Sequence, residues 1–187
     1  MNVTPDIKTL LKASYLPQKD ADKQLQQYGW TYDPELSRMD TKVFTDKEGK
    51  PVILHRGSTR AGDWLQTNTS LALGLEQYSP RFKHAKDITE KAKKKYKQPV
   101  TAIGHSLGGA LSEKTNADKI ITYNKPVTLF DVGKIIPSNQ LDIRTNFDPV
   151  SALSSVQLPK NKKKVKSSIF PLKAHSISSL PSNKFFY

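Results

Sequence analysis

Apolar positions change their period several times along the chain, and the changes mark out alternating helices and strands. Ile7, Leu10 and Leu11 follow helical spacing behind Thr4-Pro5, which reads as an N-cap with proline at the first helical position. A second helix is expected from an Asp20 cap through Gln27, with Gly29 as its stop. Lys42–Thr45 and Val52–His55, separated by the turn Lys47-Glu48-Gly49-Lys50, predict a hairpin entering a sheet. Over 80–97 the residues Phe82, Ala85, Ile88, Ala92 and Tyr96 fall on one helical stripe, and lysines fill much of the rest. Pro99–Ile103 reads as a buried strand, with further strands at Ile120–Tyr123, Val127–Phe130 and Leu141–Asn146. From about Ser151 the chain is rich in Ser, Lys and Pro and predicts irregular structure. Helices alternating with strands imply an α/β fold, with a mixed or mostly parallel sheet flanked by helices. The 187 residues suit one domain spanning 1–187, since nothing reads as a linker or an internal repeat.

Composition narrows the picture. Hydrophobic residues make up 36% and charged residues 25%, as in a soluble globular protein, and no stretch approaches the roughly 20 apolar residues of a membrane span. Met1–Asp6 has neither a basic n-region nor an apolar h-region, so no signal peptide is expected. That fits cytoplasmic and virion-packaged proteins alike. Cysteine is absent, which excludes disulfides, thiol catalysis and cysteine zinc sites. The net charge of +13 favours anionic partners, and lysines concentrate in two runs, Lys91–Lys97 and Lys160–Lys166. Peripheral contact with anionic membrane through these runs is expected to contribute about 1 kcal/mol per basic residue at the lipid surface. Nucleic acid fits the charge too, but no recognition motif or interleaved stacking aromatics accompany it.

The chemistry concentrates at Gly104-His105-Ser106-Leu107-Gly108, a G-x-S-x-G sequence between an apolar run and a small-residue helix start. Gly and Ser are common, so the five residues alone are weakly specific. Their setting is the strand–turn–helix in which a serine is held strained and projected from the sheet end. No Gly-Lys-Ser/Thr follows, which argues against a phosphate loop. In such a fold the nucleophile is followed by an acid and then a histidine. Of the four histidines (55, 84, 105 and 175), only His175 lies after Ser106. His105, adjacent to the serine, is expected to point elsewhere and support packing or the turn. For the acid, Asp148 sits just past a strand in Asn146-Phe147-Asp148-Pro149-Val150, with Asp131 as runner-up. Oxyanion donors are expected from the backbone N–H of Leu107 and from Ser58, in the strand-end segment His55-Arg56-Gly57-Ser58.

These segments resemble the class 3 (fungal-type) lipase family of the α/β-hydrolase superfamily. The resemblance rests on Gly104–Ala110 as G-H-S-L-G-G-A, on Arg56-Gly57-Ser58 followed by Asp63-Trp64, on Asp148-Pro149-Val150 and on His175-Ser176, and it covers roughly residues 10–180. It implies a compact, minimal α/β-hydrolase with Ser106 as nucleophile, His175 as base, Asp148 as its orienter, and Ser58 and Leu107 as the oxyanion hole. It further implies no cofactor, no metal, and lipid or small ester substrates: acylglycerols, phospholipids or simple esters. The chain is short for that family, and the family's G-x-P segment stands here as Asn124-Lys125-Pro126. The family's lid would correspond to Thr59–Leu75, although Trp64, Leu65, Leu71, Leu73 and Leu75 read mostly as core. The competing reading is a catalytically silent hydrolase-fold binding module that docks on anionic membrane or nucleic acid.

Overall fold

A computed structural model describes residues 4–58, 79–127, 131, 133, 135–146, 148, 162–165, 173 and 175–182. Strands β1 (Thr31–Tyr32), β2 (Thr41–Thr45), β3 (Pro51–His55), β4 (Thr101–His105), β5 (Lys119–Tyr123), β6 (Gln140–Thr145) and β7 (Lys162–Val165) form one sheet in simple sequential order. β1, β2 and β3 pair antiparallel, and β3 through β7 pair parallel. Helices α1 (Ile7–Tyr15) and α2 (Gln18–Gln26) cover one face; α3 (Pro80–Tyr96) and α4 (Leu107–Glu113) cover the other.

Strand alternation explains the two layers. Val52, Leu54, Ile103, Ile121, Tyr123 and Ile143 face α1 and α2 and join Ile7, Leu10, Leu11 and Leu25 in one core. Val43, Ile53, Ala102 and Ile120 point the other way, against Ile88 and Ala92 of α3. Phe82 and Ala85 of α3 then meet Leu107, Ala110 and Leu111 of α4. No helix among the described residues is long and apolar enough to cross a membrane.

Most expected elements form, with informative shifts. The N-cap of α1 is Asp6 rather than Thr4: its carboxylate accepts from the Thr9 N–H at 2.8 Å, so the helix starts at Ile7. α2 starts at Gln18, before the expected Asp20 cap, which leaves Asp20 in the first turn, where its negative charge suits the helix dipole. Gly29, at φ +76°, closes α2, with Gly29 N–H bonded to Gln26 and Trp30 N–H to Leu25. The strand expected over 99–103 instead runs from Thr101 through His105, so the turn into α4 is the single residue Ser106. The irregular tail contains β7, parallel to β6. Its Lys-Lys-Lys-Val sequence hides a strand because it is polar, as suits the edge position it holds among the described strands. Of the strand expected at 127–130, Val127 is buried outside any strand, and 128–130 lie outside the described residues, as does the lid segment from residue 59 to 75.

Behind the sheet end, Lys125 follows β5 with its side chain 4% exposed. Its Nζ lies 2.8 Å from Glu113 at the end of α4 and 3.2 Å from Asp142 in β6. Asp142 also accepts from Thr122 and Gln140, each at 2.8 Å. Burial works against the charged lysine, but the two carboxylates outweigh it and raise its pKa. Lys125→Met is therefore expected to cost about 3 kcal/mol in urea denaturation, because the buried Asp142 and the partly buried Glu113 lose their counter-charge. Adding Glu113→Gln and Asp142→Asn to that variant should recover part of the loss.

Candidate active site

The site is built where β4 hands over to α4. Ser106 has φ 54° and ψ −128°, a conformation that a non-glycine residue adopts at a cost of about 1–3 kcal/mol. The turn is held from both sides: Ser106 N–H donates to the Tyr123 carbonyl at 3.0 Å, and Gly109 N–H donates to the Ser106 carbonyl at 2.8 Å. Gly104 and Gly108 are glycines because the backbones touch. A Cβ on Gly104 would strike the Gly108 carbonyl, and one on Gly108 would strike the His55 carbonyl of β3. Ser106 itself is buried, with 8% exposure. Leu107 opens α4, so its N–H is one of the first-turn amides that have no acceptor within the helix.

The end of β3 lies against this turn. A Cβ built on Gly57 would come within 3.3 Å of the Ser106 Cβ, which puts the Gly57-Ser58 segment beside the serine. Arg56 N–H donates to the Asp40 carbonyl at 2.9 Å. Arg81, in the first turn of α3, donates to the Arg56 carbonyl at 2.8 Å and to the Asp40 carboxylate at 2.9 Å. Ser58 is partly exposed.

His175 arrives from the C-terminal part of the chain. Its Nδ1–H donates to Asp148 Oδ1 at 2.8 Å; the Asp148 side chain is fully buried, and that of His175 is 21% exposed. This leaves Nε2 as the acceptor nitrogen. The His175 backbone is held as firmly as its ring. His105 Nε2–H donates to the His175 carbonyl at 2.8 Å, and Asn124 Nδ2–H reaches the same oxygen at 3.4 Å. Tyr123 O–H donates to the Ser176 carbonyl at 3.2 Å. The His105 and His175 rings lie 4.8 Å apart, centroid to centroid. Beyond them, Leu180 anchors the segment in the core beside α1. Of the two acids considered for orienting His175, the one bonded to its Nδ1 is Asp148.

Three participants, Tyr15, Asn124 and Arg81, were not read as such from the sequence. Tyr15 ends α1 with nothing local to distinguish it, yet its hydroxyl meets His105 Nδ1 at 2.8 Å and the Gly57 N–H at 3.1 Å. His105 supports the turn, as expected, but through specific polar bonds. Asn124, at φ 46°, occupies the left-handed region that asparagine tolerates, which explains how it stands where the resembled family has glycine. Arg81 carried no motif at all. Among the described residues no group of three or more His, Asp or Glu side chains converges in a way that could hold a metal ion. A cleft of about 400 Å³, lined by Trp30, Asp46, Lys50, Thr101, Asp118 and Lys119, opens at the other end of the sheet, away from Ser106.

A mostly parallel sheet flanked by helices, with a strained serine between strand and helix and a carboxylate–histidine pair at the same sheet end, defines a compact α/β protein with its candidate site at that end. Residues 11–133, roughly two-thirds of the chain, match the Tle-like phospholipase domain, and the chain belongs to that phospholipase-like family. The matched stretch includes Ser58, Ser106 and Leu107 and ends before Asp148 and His175. No curated protein matches the chain significantly.

Burial pushes two histidines of this region, His55 and His105, down to about 3. In the unfolded chain both take a proton near pH 6.5, while the folded protein keeps them neutral. Their contribution to stability is therefore complete above pH 6.5 and is lost as the pH falls from there toward 3. Between pH 7.5 and pH 5 the unfolding free energy should drop by about 2 kcal/mol for each histidine. Denaturant titrations across that range check this, and the pH slope should be roughly halved in His55→Gln.

Proposed function

We propose that this protein is a serine carboxylic ester hydrolase acting on lipid esters, with Ser106 as nucleophile, His175 as general base and Asp148 as its orienter. The observation that carries the reading is the His175–Asp148 bond at 2.8 Å, held against the turn that strains Ser106. Membership of a phospholipase-like family supports lipid esters as the substrate class, with phospholipids first and acylglycerols next. The order of the four motifs supports a closer kinship to class 3 lipases.

In this mechanism Ser106 Oγ attacks the ester carbonyl carbon while its proton passes to His175 Nε2. Asp148 stabilises the resulting imidazolium through Nδ1–H. The backbone N–H of Leu107 and the N–H or hydroxyl of Ser58 bind the oxyanion of the tetrahedral intermediate. Collapse expels the alcohol, which takes the proton from His175 and leaves an acyl-Ser106 ester. Water, deprotonated by His175, then attacks that ester, and the carboxylic acid departs as Ser106 recovers its proton.

Anionic membrane contact through Lys91–Lys97 and Lys160–Lys166 enters as a peripheral anchor only. Lys91, Lys93 and Lys95 already pair with Asp87, with Asp118, and with Asp33 and Glu35. The end of α3 also leads into the start of β4, so this run lies about one five-residue strand, ~17 Å, from the Ser106 end.

The test is hydrolysis of short-chain p-nitrophenyl esters and of phospholipid vesicles, alongside labelling by a fluorophosphonate. The wild-type protein should turn over and label. Ser106→Ala should lose about 10³-fold or more in kcat and all labelling, and His175→Ala a similar factor. Wild-type protein that neither hydrolyses nor labels, even on anionic vesicles, would replace this reading with the silent binding module.

A further inference from the structure

The site contains a continuous polar chain that the proposed reaction does not itself use. It joins the oxyanion segment, the nucleophile turn and the base. Gly57 N–H, Tyr15 O–H, His105 and the His175 carbonyl are linked by three bonds of 3.1, 2.8 and 2.8 Å. The four groups come from β3's end, α1, β4 and the loop before the 3₁₀ turn at Ile177–Ser179, four separate stretches of chain.

The protons in this chain can be arranged in only one way. A carbonyl can only accept, so His105 Nε2 carries hydrogen toward His175. His105 is 93% buried, and burial first, then the neighbouring His175, hold it neutral; its Nδ1 is therefore bare and accepts. Tyr15 O–H must donate to that nitrogen, which leaves the phenol oxygen to accept from Gly57 N–H. Burial and the loss of bulk water push the Tyr15 hydroxyl up to about 12, so it keeps the proton that this arrangement needs. The chain thus runs in one direction, with every donor used once and every acceptor filled.

We infer that Tyr15 and His105 are positioning residues that lock the distance between the Ser58 segment and the His175 backbone. Neither touches the reacting atoms. Tyr15 sets where the Gly57–Ser58 backbone stops beside Ser106, and His105 sets where His175 hangs from its own carbonyl. Asn124 reaches the same carbonyl from the other side, so the base is suspended between β4 and the turn after β5. A shift of about 1 Å at either end misplaces a base or an oxyanion donor, and such errors cost on the order of 10²-fold in rate. The role rests on the hydrolase reading above, and the experiment separates failure of one from failure of the other.

Four proteins are compared with the wild type: Tyr15→Phe, His105→Gln, His105→Phe and Ser106→Ala. The measurements are kcat and KM on a p-nitrophenyl ester, thermal melting, and histidine-selective ¹⁵N NMR from pH 5 to 8. In the wild type, NMR should show His105 as the neutral Nε2–H tautomer throughout that range. Tyr15→Phe should fold and lose about 10–100-fold in kcat, with KM within threefold. His105→Gln can still offer an amide N–H to the His175 carbonyl, so it should retain more activity than His105→Phe. A merely structural role would lower melting temperature and active fraction together and leave kcat per folded molecule unchanged. The inference is overturned if His105 proves to be the Nδ1–H tautomer or titrates near 6.5. It is equally overturned if folded Tyr15→Phe keeps kcat within twofold of an active wild type while Ser106→Ala is dead; the hydrolase reading then survives alone. If no protein turns over although the tautomer is as expected, the hydrolase reading fails and the positioning role falls with it.

Discussion

A five-residue β-strand becomes a helix across one residue, and the rest of the site depends on that handover. Ser106 bears φ 54° and ψ −128° because β4 runs through His105 and α4 begins at Leu107, leaving no room for a longer turn. The strain of about 1–3 kcal/mol persists because the surroundings over-determine it. Tyr123 takes the serine N–H, Gly109 and Ala110 bond its carbonyl, and the bare Cα atoms of Gly104 and Gly108 let α4 settle onto β4 and β3. Any side chain at these glycines would push the helix off the sheet and release the turn.

Parallel register then decides what can meet the serine. His55 pairs with Gly104, and His105 pairs with Tyr123, so the segments following β3 and β5 emerge beside Ser106 at the same sheet end. Three loops from distant parts of the chain therefore crowd into one polar cluster, and burial there is costly unless each group finds a partner. The solution is mostly neutral hydrogen bonding: a tyrosine, a neutral histidine, an asparagine and backbone carbonyls. The Asp148 carboxylate accepts from the His175 Nδ1–H. One charged pair, Arg81 with Asp40, borders this cluster, while Lys125 pairs with Glu113 and Asp142 and Lys95 clasps Asp33 and Glu35 at the far end of α3.

The basic character of the chain looks different once the fold is known. As a string, 91–97 is a block of positive charge. In space Lys91, Lys93 and Lys95 pair with Asp87, with Asp118, and with Asp33 and Glu35, and Lys95 helps to hold α3 against the loop after β1. Net charge still biases the molecule toward anionic partners, but a run of lysines is not equivalent to a docking face when acids from other elements reach it.

Periodicity and short spacing were enough to place both helices of the first face, the hairpin, α3 and the strands around the G-x-S-x-G turn, because those signals are local. Helical stripes, alternating strands and glycine at a close approach leave their mark within a few residues. The order of residues also pointed to Asp148 and His175 as a pair, and the two side chains do bond. The α1 cap at Asp6 is itself a local bond, its carboxylate accepting from the Thr9 N–H three residues on, and the Thr4-Pro5 pattern masked it. What sequence could not supply was anything settled by contact between distant segments. β7 escaped notice because its pairing with β6 owes nothing to an apolar pattern. Tyr15, Arg81 and Asn124 became parts of the site only when their segments met, since a single polar bond across 42 or 90 residues leaves no trace in either local pattern. The chain's local physics determined which elements form and where the G-x-S-x-G turn stands; tertiary packing decided which polar groups from distant segments meet around it.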